Sequence, residues 1–345
     1  VEVLTVNVGS TSTKVVTVTG KAAARAWADL DEALTGPRPD AVAHRVVHGG
    51  DRAGPVVLDD ELVRELERLS ELAPLHQPPG LAAIARCRAT WPDVPQVAAF
   101  DTSFHATIPD AARTYALPAR HRAEVRAYGF HGLSYEWAVG RVAEHLSGAR
   151  RVVLAHLGGG QSLCAVRDGR SAMTTMGFTP LDGLVMATRP GSLDPGAVLW
   201  LAHHHPEEDL QHVLEHESGL LGVGGSGDLR ELRRRATSGD AAAQLALDVW
   251  AHRLVAAAGT AVATLGGLDA LVFTGGIGEH DAAARTALTD GLHWLGVATE
   301  DDGTAPGPDG LADLSAPGAP VRTLVVQSRE DLQLAAHARR LLGTG

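Results

Sequence analysis

A chain of 345 residues, 45% of them hydrophobic, is long enough for two cores of ordinary size, and a net charge of −11 argues against a nucleic-acid face, since basic residues cluster only at Arg230 to Arg235, which reads as a solvated helix face. Its two cysteines, Cys87 and Cys164, stand far apart, which excludes a disulfide framework and a cysteine zinc site. The sequence reads as having no apolar run of bilayer length and as opening on a strand rather than a signal peptide, so the expectation is a cytoplasmic protein without membrane contact.

Taken in chain order, strand-like runs are predicted at 3–8, 14–19, 42–47, 94–100, 151–157, 163–167, 268–273 and 321–327. Helical spacing covers 59–72, 81–90, 134–146, 194–203, 228–236, 241–265, 281–292 and 330–342, with Asp59 and Asp228 at N-cap positions and Gly148 at a helix stop. Alternation of this kind predicts an α/β fold. The first strand ends in Gly9-Ser10-Thr11-Ser12-Thr13-Lys14, and the run from Val152 ends in Gly158-Gly159-Gly160-Gln161-Ser162. A third run ends in Thr274-Gly275-Gly276-Ile277-Gly278-Glu279. Glycine at a strand end lets backbone N–H groups converge on an anion, so the three turns predict phosphate cradles.

The repeat of strand, Gly-x-x-Ser turn and second strand after Gly148 predicts two related domains with a cleft between them. The expected boundaries are 1–148, joined by the C-terminal helix at about 332–345, and 149–331. Lysine occurs only at Lys14 and Lys21, so an ammonium closing a hydroxyl-rich turn reads as a point contact to phosphate.

A series of ordered motifs then carries a family resemblance. They are Asn7-Val8-Gly9-Ser10-Thr11-Ser12-Thr13-Lys14, His44-Arg45-Val46-Val47-His48-Gly49-Gly50, Pro74-Leu75-His76, Phe100-Asp101-Thr102-Ser103-Phe104-His105, Tyr128-Gly129-Phe130-His131-Gly132, Met176 to Gly183, Thr188-Arg189 and Phe273 to Glu279. Along nearly its whole length the chain resembles the acetate kinases, members of the actin, Hsp70 and sugar-kinase superfamily. The resemblance implies two related actin-like (ribonuclease H-like) α/β domains with a nucleotide cleft between them, usually in a homodimer. It also implies reversible, in-line phosphoryl transfer from ATP to acetate, with ADP and acetyl phosphate as products.

Joining two anions requires charge neutralisation, for which the guanidinium fork suits carboxylate and phosphate oxygens. By resemblance Arg45 and Arg189 flank the transferred group and His131 donates to its oxygens. Asp101, usually credited with proton transfer, is expected to orient an arginine or a metal-bound water, because a carboxylate substrate is already ionised near neutral pH. Asn7 and Glu330 are implied as the protein side of a Mg2+ or Mn2+ site. Val47, Leu75, Phe130 and Pro180 are implied to line the acyl pocket. The nucleotide would meet Ser10, Ser12 and Lys14, the turn His156-Leu157-Gly158-Gly159-Gly160, the segment Asp228-Leu229-Arg230, and Gly276-Ile277-Gly278-Glu279-His280.

The chain departs from the family pattern at Gly159 and His280, where asparagine is usual, at Leu133 and Tyr135, and at Pro190 and Ser192 after Arg189; the segment 15–44 is short. These departures leave open a kinase for propionate, butyrate or a specialised acid, and an ATP-binding homologue without acid kinase activity.

Overall fold

The computed structural model describes residues 1–9, 13–20, 22–303, 306–307 and 309–344, which form two six-stranded sheets flanked by helices. In the first sheet β1 (Glu2–Val8), β2 (Thr13–Thr19) and β3 (Ala22–Trp27) make an antiparallel meander. Strand β4 (Ala41–Val46) pairs parallel with β1, and a short β5 (Val56–Val57) forms the antiparallel far edge beside β6 (Gln96–Phe100), itself parallel to β4.

The second sheet repeats this plan. Strands β7 (Arg151–Leu157), β8 (Gln161–Arg167) and β9 (Arg170–Thr174) form the meander, and β10 (Ala270–Thr274) is parallel to β7. The edge strand β11 (Leu311–Asp313) lies antiparallel to β12 (Arg322–Val326), which is parallel to β10. The orders, β3-β2-β1-β4-β6-β5 and β9-β8-β7-β10-β12-β11, therefore correspond strand for strand. Even the irregularity is shared: the register shifts between Thr17 and Val18 in β2 and between Ala165 and Val166 in β8, in each case after the strand's fifth residue.

Both faces of the parallel strands are covered, so they are built from small and β-branched apolar residues rather than alternating ones. Ala41, Val42 and Ala43 of β4 and Val97, Ala98 and Ala99 of β6 are buried. One face of the first sheet packs on the helix Gln77–Thr90 through Ala83 and Cys87, and the other on Leu334, Ala335 and Ala338 of the helix Glu330–Leu342. In the second sheet the helix Ala241–Leu265 supplies Ala243, Ala246, Trp250, Leu254, Ala258, Ala261, Val262 and Leu265 to the core.

That helix corrects the expectation of no membrane-length run, since its 25 residues are long and apolar enough to span a bilayer by length and composition. Its buried positions recur every three to four residues, and Trp250 Nε1 donates to Gln161 Oε1 of β8 at 2.9 Å, as a core helix requires.

Contacts divide the chain into one unit of 1–107, 128–140 and 328–345, and another of 108–127 and 141–327. The segment 108–127 falls in the second unit, where Phe178 N donates to Tyr115 Oη at 2.9 Å. At the other end, residues 328–331 go with the first unit because Asn7 holds Glu330.

Candidate active site

In the first unit four residues distant in sequence share one hydrogen-bonded cluster at the C-terminal ends of parallel strands. Arg45 is the next-to-last residue of β4, which pairs with the strand of Asn7, and Asp101 directly follows β6. Arg45 Nε and Nη2 both donate to Asp101 Oδ2, at 3.0 and 2.6 Å, while Nη1 donates to Asn7 Oδ1 at 3.1 Å. Asn7 Nδ2 in turn donates to Glu330 Oε2 at 2.6 Å, and the Glu330 carboxylate lies 3.9 Å from Arg45 Nε.

Burial alone would lower the Arg45 pKa, but the charges of Asp101 and Glu330 outweigh it and hold the guanidinium above its usual value. Burial lifts the Asp101 carboxyl above its usual range, against the pull of Arg45. The arginine thus stays charged, and the deeper carboxylate is the partner that loses charge as pH falls.

Asn7 and Glu330 also offer an oxygen-only donor set, the class a hard cation such as Mg2+ takes, and Asp101 Oδ1 beside them is buried without a hydrogen-bond partner. The residues therefore fit the implied cation. Lys14 is the cross-strand partner of Asn7 and is exposed. Ser10 and Ser12 lie outside the described residues.

His131 adopts φ +60°, an uncommon region for a residue with a side chain. The strain is held from both sides: Tyr135 N donates to His131 O at 3.0 Å, and Gly132 N donates to Asp101 O at 2.9 Å. A Cβ at residue 132 would sit 2.2 Å from that same Asp101 carbonyl, so only glycine fits. Asp101 thereby holds Arg45 with its side chain and the His131 elbow with its backbone.

Val47 and Phe130 are 4% and 1% exposed, with the His48 ring edge-on to Phe130 at 5.7 Å and to Tyr128 at 4.4 Å. Leu75, half-buried, lies in the turn before the helix Gln77–Thr90. Pro180 belongs to the second unit, where its carbonyl accepts from Arg189 Nη1 at 3.1 Å. Arg189 is 7% exposed, and burial pulls it below the usual guanidinium value while Glu215 opposes the shift. The sequence reading assigns Glu215 no role, since two acids in Val213-Leu214-Glu215-His216-Glu217 carry no signal there.

The two glycine-rich segments of the second unit lie side by side because β7 and β10 are parallel and in register, His156 opposite Thr274. Gly275 has φ +79°, and a Cβ there would lie 2.7 Å from Leu157 O, so this glycine allows the close approach. The segment read as a turn forms instead a short helix, Gly275–His280. Within it Glu279 is buried and accepts from Gly275 N at 3.1 Å, which gives it a structural duty, while His280 is exposed.

A Cβ added at Gly159 or Gly276 would meet nothing within 4 Å, so both positions have room beside the α-carbon. Leu157 and Leu229 are core side chains and can offer a nucleotide only main-chain atoms. Asp228 caps the helix Leu229–Thr237 through Arg230 N at 2.8 Å and pairs with the Arg230 side chain, which holds its carboxyl at about 2.

The acetokinase family profile matches residues 36–336. An acetate kinase of Leifsonia xyli subsp. xyli is 46% identical over 316 residues, covering 89% of this chain and 79% of the relative. A propionate kinase of Escherichia fergusonii is 42% identical over 311 residues, covering 88% of this chain and 76% of the relative. The crystal structure of Porphyromonas gingivalis acetate kinase, 28% identical, superposes with a TM-score of 0.87 over 99% of each chain. With a profile match across most of its length and relatives this similar, the chain belongs to the acetokinase family.

Proposed function

We propose that the protein transfers the γ-phosphoryl group of ATP to acetate, reversibly and in line, giving ADP and acetyl phosphate. The observation that carries this reading is the Arg45, Asp101, Asn7 and Glu330 cluster, which preorganises one cation-bearing fork beside oxygen donors. Phosphoryl transfer asks the protein for positioning and charge stabilisation rather than covalent chemistry, and such a cluster supplies both.

In this reading Arg45 and Arg189 neutralise the transferred group and His131 donates to its equatorial oxygens. A carboxylate oxygen of acetate attacks phosphorus as the bond to the ADP oxygen breaks, so no proton has to leave the acid. Asp101 acts by holding Arg45 and the His131 elbow. Asn7 and Glu330 would hold Mg2+, directly or through water, and the ion when bound adds positive charge at the phosphates. Ser10, Ser12, Lys14 and the segments 156–160 and 276–280 serve the phosphates, with 228–230 beside the nucleoside, and Val47, Leu75, Phe130 and Pro180 shape the acyl end. We further assign the protein to the cytoplasm, as the sequence reading expects, and to a homodimer, as the resemblance implies.

Purified protein with MgATP, a panel of acids and hydroxylamine tests the proposal, because hydroxylamine traps an acyl phosphate as its hydroxamate. Hydroxamate from acetate is the expected product. Product from propionate alone would transfer the reading to the propionate branch, which the 42% identical relative represents. Nucleotide binding without product from any acid would refute acid kinase activity.

A further inference from the structure

Arg189 is framed by a structural device that the proposed chemistry does not use. The five residues Val213–Glu217 form a π-helical turn, a rare conformation found often at functional sites. The turn and the residues after it are bonded to the segment carrying Arg189. Thr188 Oγ1 donates to Glu215 O at 2.8 Å, Ser218 N donates to Thr188 O at 3.0 Å, and Leu220 N donates to Met186 O at 2.9 Å. Met186 N donates to Arg189 O at 2.9 Å and closes the loop.

Gly219, at φ +64°, makes the approach possible: a Cβ there would lie 2.3 Å from Met186 O and 2.8 Å from Arg189 N. The result is a carboxylate, Glu215, delivered 8% exposed into the surroundings of an arginine 7% exposed. Its Oε1 accepts from Gln211 Nε2 at 3.2 Å. Burying a carboxylate costs several kcal/mol unless a nearby cation or hydrogen bonds offset it, and the acid that acts electrostatically on Arg189 is Glu215.

We propose that Glu215 is a buried counter-charge for Arg189, set beside its segment by the Thr188 bond, that limits the grip of the guanidinium on a phosphoryl anion. The inference rests on the reading of Arg189 as a group that contacts the transferred phosphoryl. A fixed negative charge near the arginine opposes every anion that the arginine attracts. It keeps binding of the phosphorylated acid loose enough for release.

Glu215→Gln keeps the shape and the amide contact and removes the charge. In the direction forming ATP, its KM for acetyl phosphate is expected to fall on the order of tenfold, with the inhibition constant of inorganic phosphate falling in parallel and the KM for ADP unchanged. A role in packing alone predicts wild-type values for all three, and that result overturns the proposal. Should Glu215→Gln fail to fold by near-UV circular dichroism, Glu215→Asp carries the test. It retracts the charge by one methylene and is expected to lower the acetyl phosphate KM about threefold, and an unchanged KM refutes the role. Wild-type protein that makes no acyl phosphate refutes the underlying function instead, so the two failures are distinguishable.

Discussion

Two histidines buried in the first unit make the protein sensitive to mild acid. His44 is 1% exposed with Nε2 against Gln96 Oε1 at 2.8 Å, and His105 is 3% exposed with Nε2 2.8 Å from Phe130 O. Burial pulls each from 6.5 down to about 4. The unfolded chain therefore binds two more protons than the folded one between these values, and stability falls as pH drops through 6.5 and levels off below 4. At about pH 5 each unfolded-state imidazole gains about 2 kcal/mol from protonation that its folded counterpart forgoes, so the pair costs about 4 kcal/mol relative to neutral pH.

That is a large share of an ordinary stability of about 5 to 15 kcal/mol. Urea unfolding followed by fluorescence of Trp27, Trp91 and Trp137, all in the first unit, should show the loss between about pH 7.5 and 5. His44→Gln and His105→Gln should each remove about half of the pH dependence, whatever they do to stability at neutral pH. A variant with the wild-type slope would refute the reasoning for that histidine.

Arg45→Ala and Arg189→Ala should each lower turnover on the order of 10³-fold in the hydroxamate assay. They should differ in stability: Arg45→Ala leaves the fully buried Asp101 without its cation and should cost about 3 kcal/mol, part of which Arg45→Ala/Asp101→Asn recovers without restoring activity. Asp101→Asn should lower kcat while the pH–rate profile keeps its shape, since a lost limb would mean acid–base work. Gly132→Ala drives a Cβ to 2.2 Å from Asp101 O and should abolish activity through the His131 elbow, so an active, folded variant refutes that role. Gly159→Asn places a Cβ that meets no atom within 4 Å and should change stability little, by about 0.5 kcal/mol or less, while tightening ADP binding measured by calorimetry.

The duplicated plan was legible from Val3–Val8 and Val152–Leu157, where apolar strands run into glycine. The edge strands β3, β5, β9 and β11 were not, because alanine-rich Ala22–Trp27 or polar Arg170–Thr174 become strands only by pairing with a neighbour. Helix starts fell close where a cap was visible, as with Asp59 and Asp228. Gly275–His280 escaped notice because a run with three glycines has almost no intrinsic helix preference.

The site divides in the same way. Arg45 and Asp101 stood out as members of motifs, but their shared hydrogen bonds with Asn7 and Glu330 arise from parallel register and a returning helix, which local sequence does not encode. Glu215 was invisible for a different reason: its importance comes from a π turn and from Gly219, and a short charged stretch looks the same when merely solvated.

The returning helix also sets an order of events during synthesis. The first sheet's strands are all made once Phe100 is reached, yet Leu334, Ala335 and Ala338, which cover one of its faces, come more than 200 residues later. Arg339 then ties to Val18 O at 2.8 Å and Val1 O at 3.1 Å, joining the beginning of the chain to its last helix. Until translation reaches that helix, the newborn sheet carries a bare apolar face and Arg45 lacks Glu330. The first sheet is therefore completed only after the second unit has been made, and until then it is the one a nascent-chain chaperone would have to shelter.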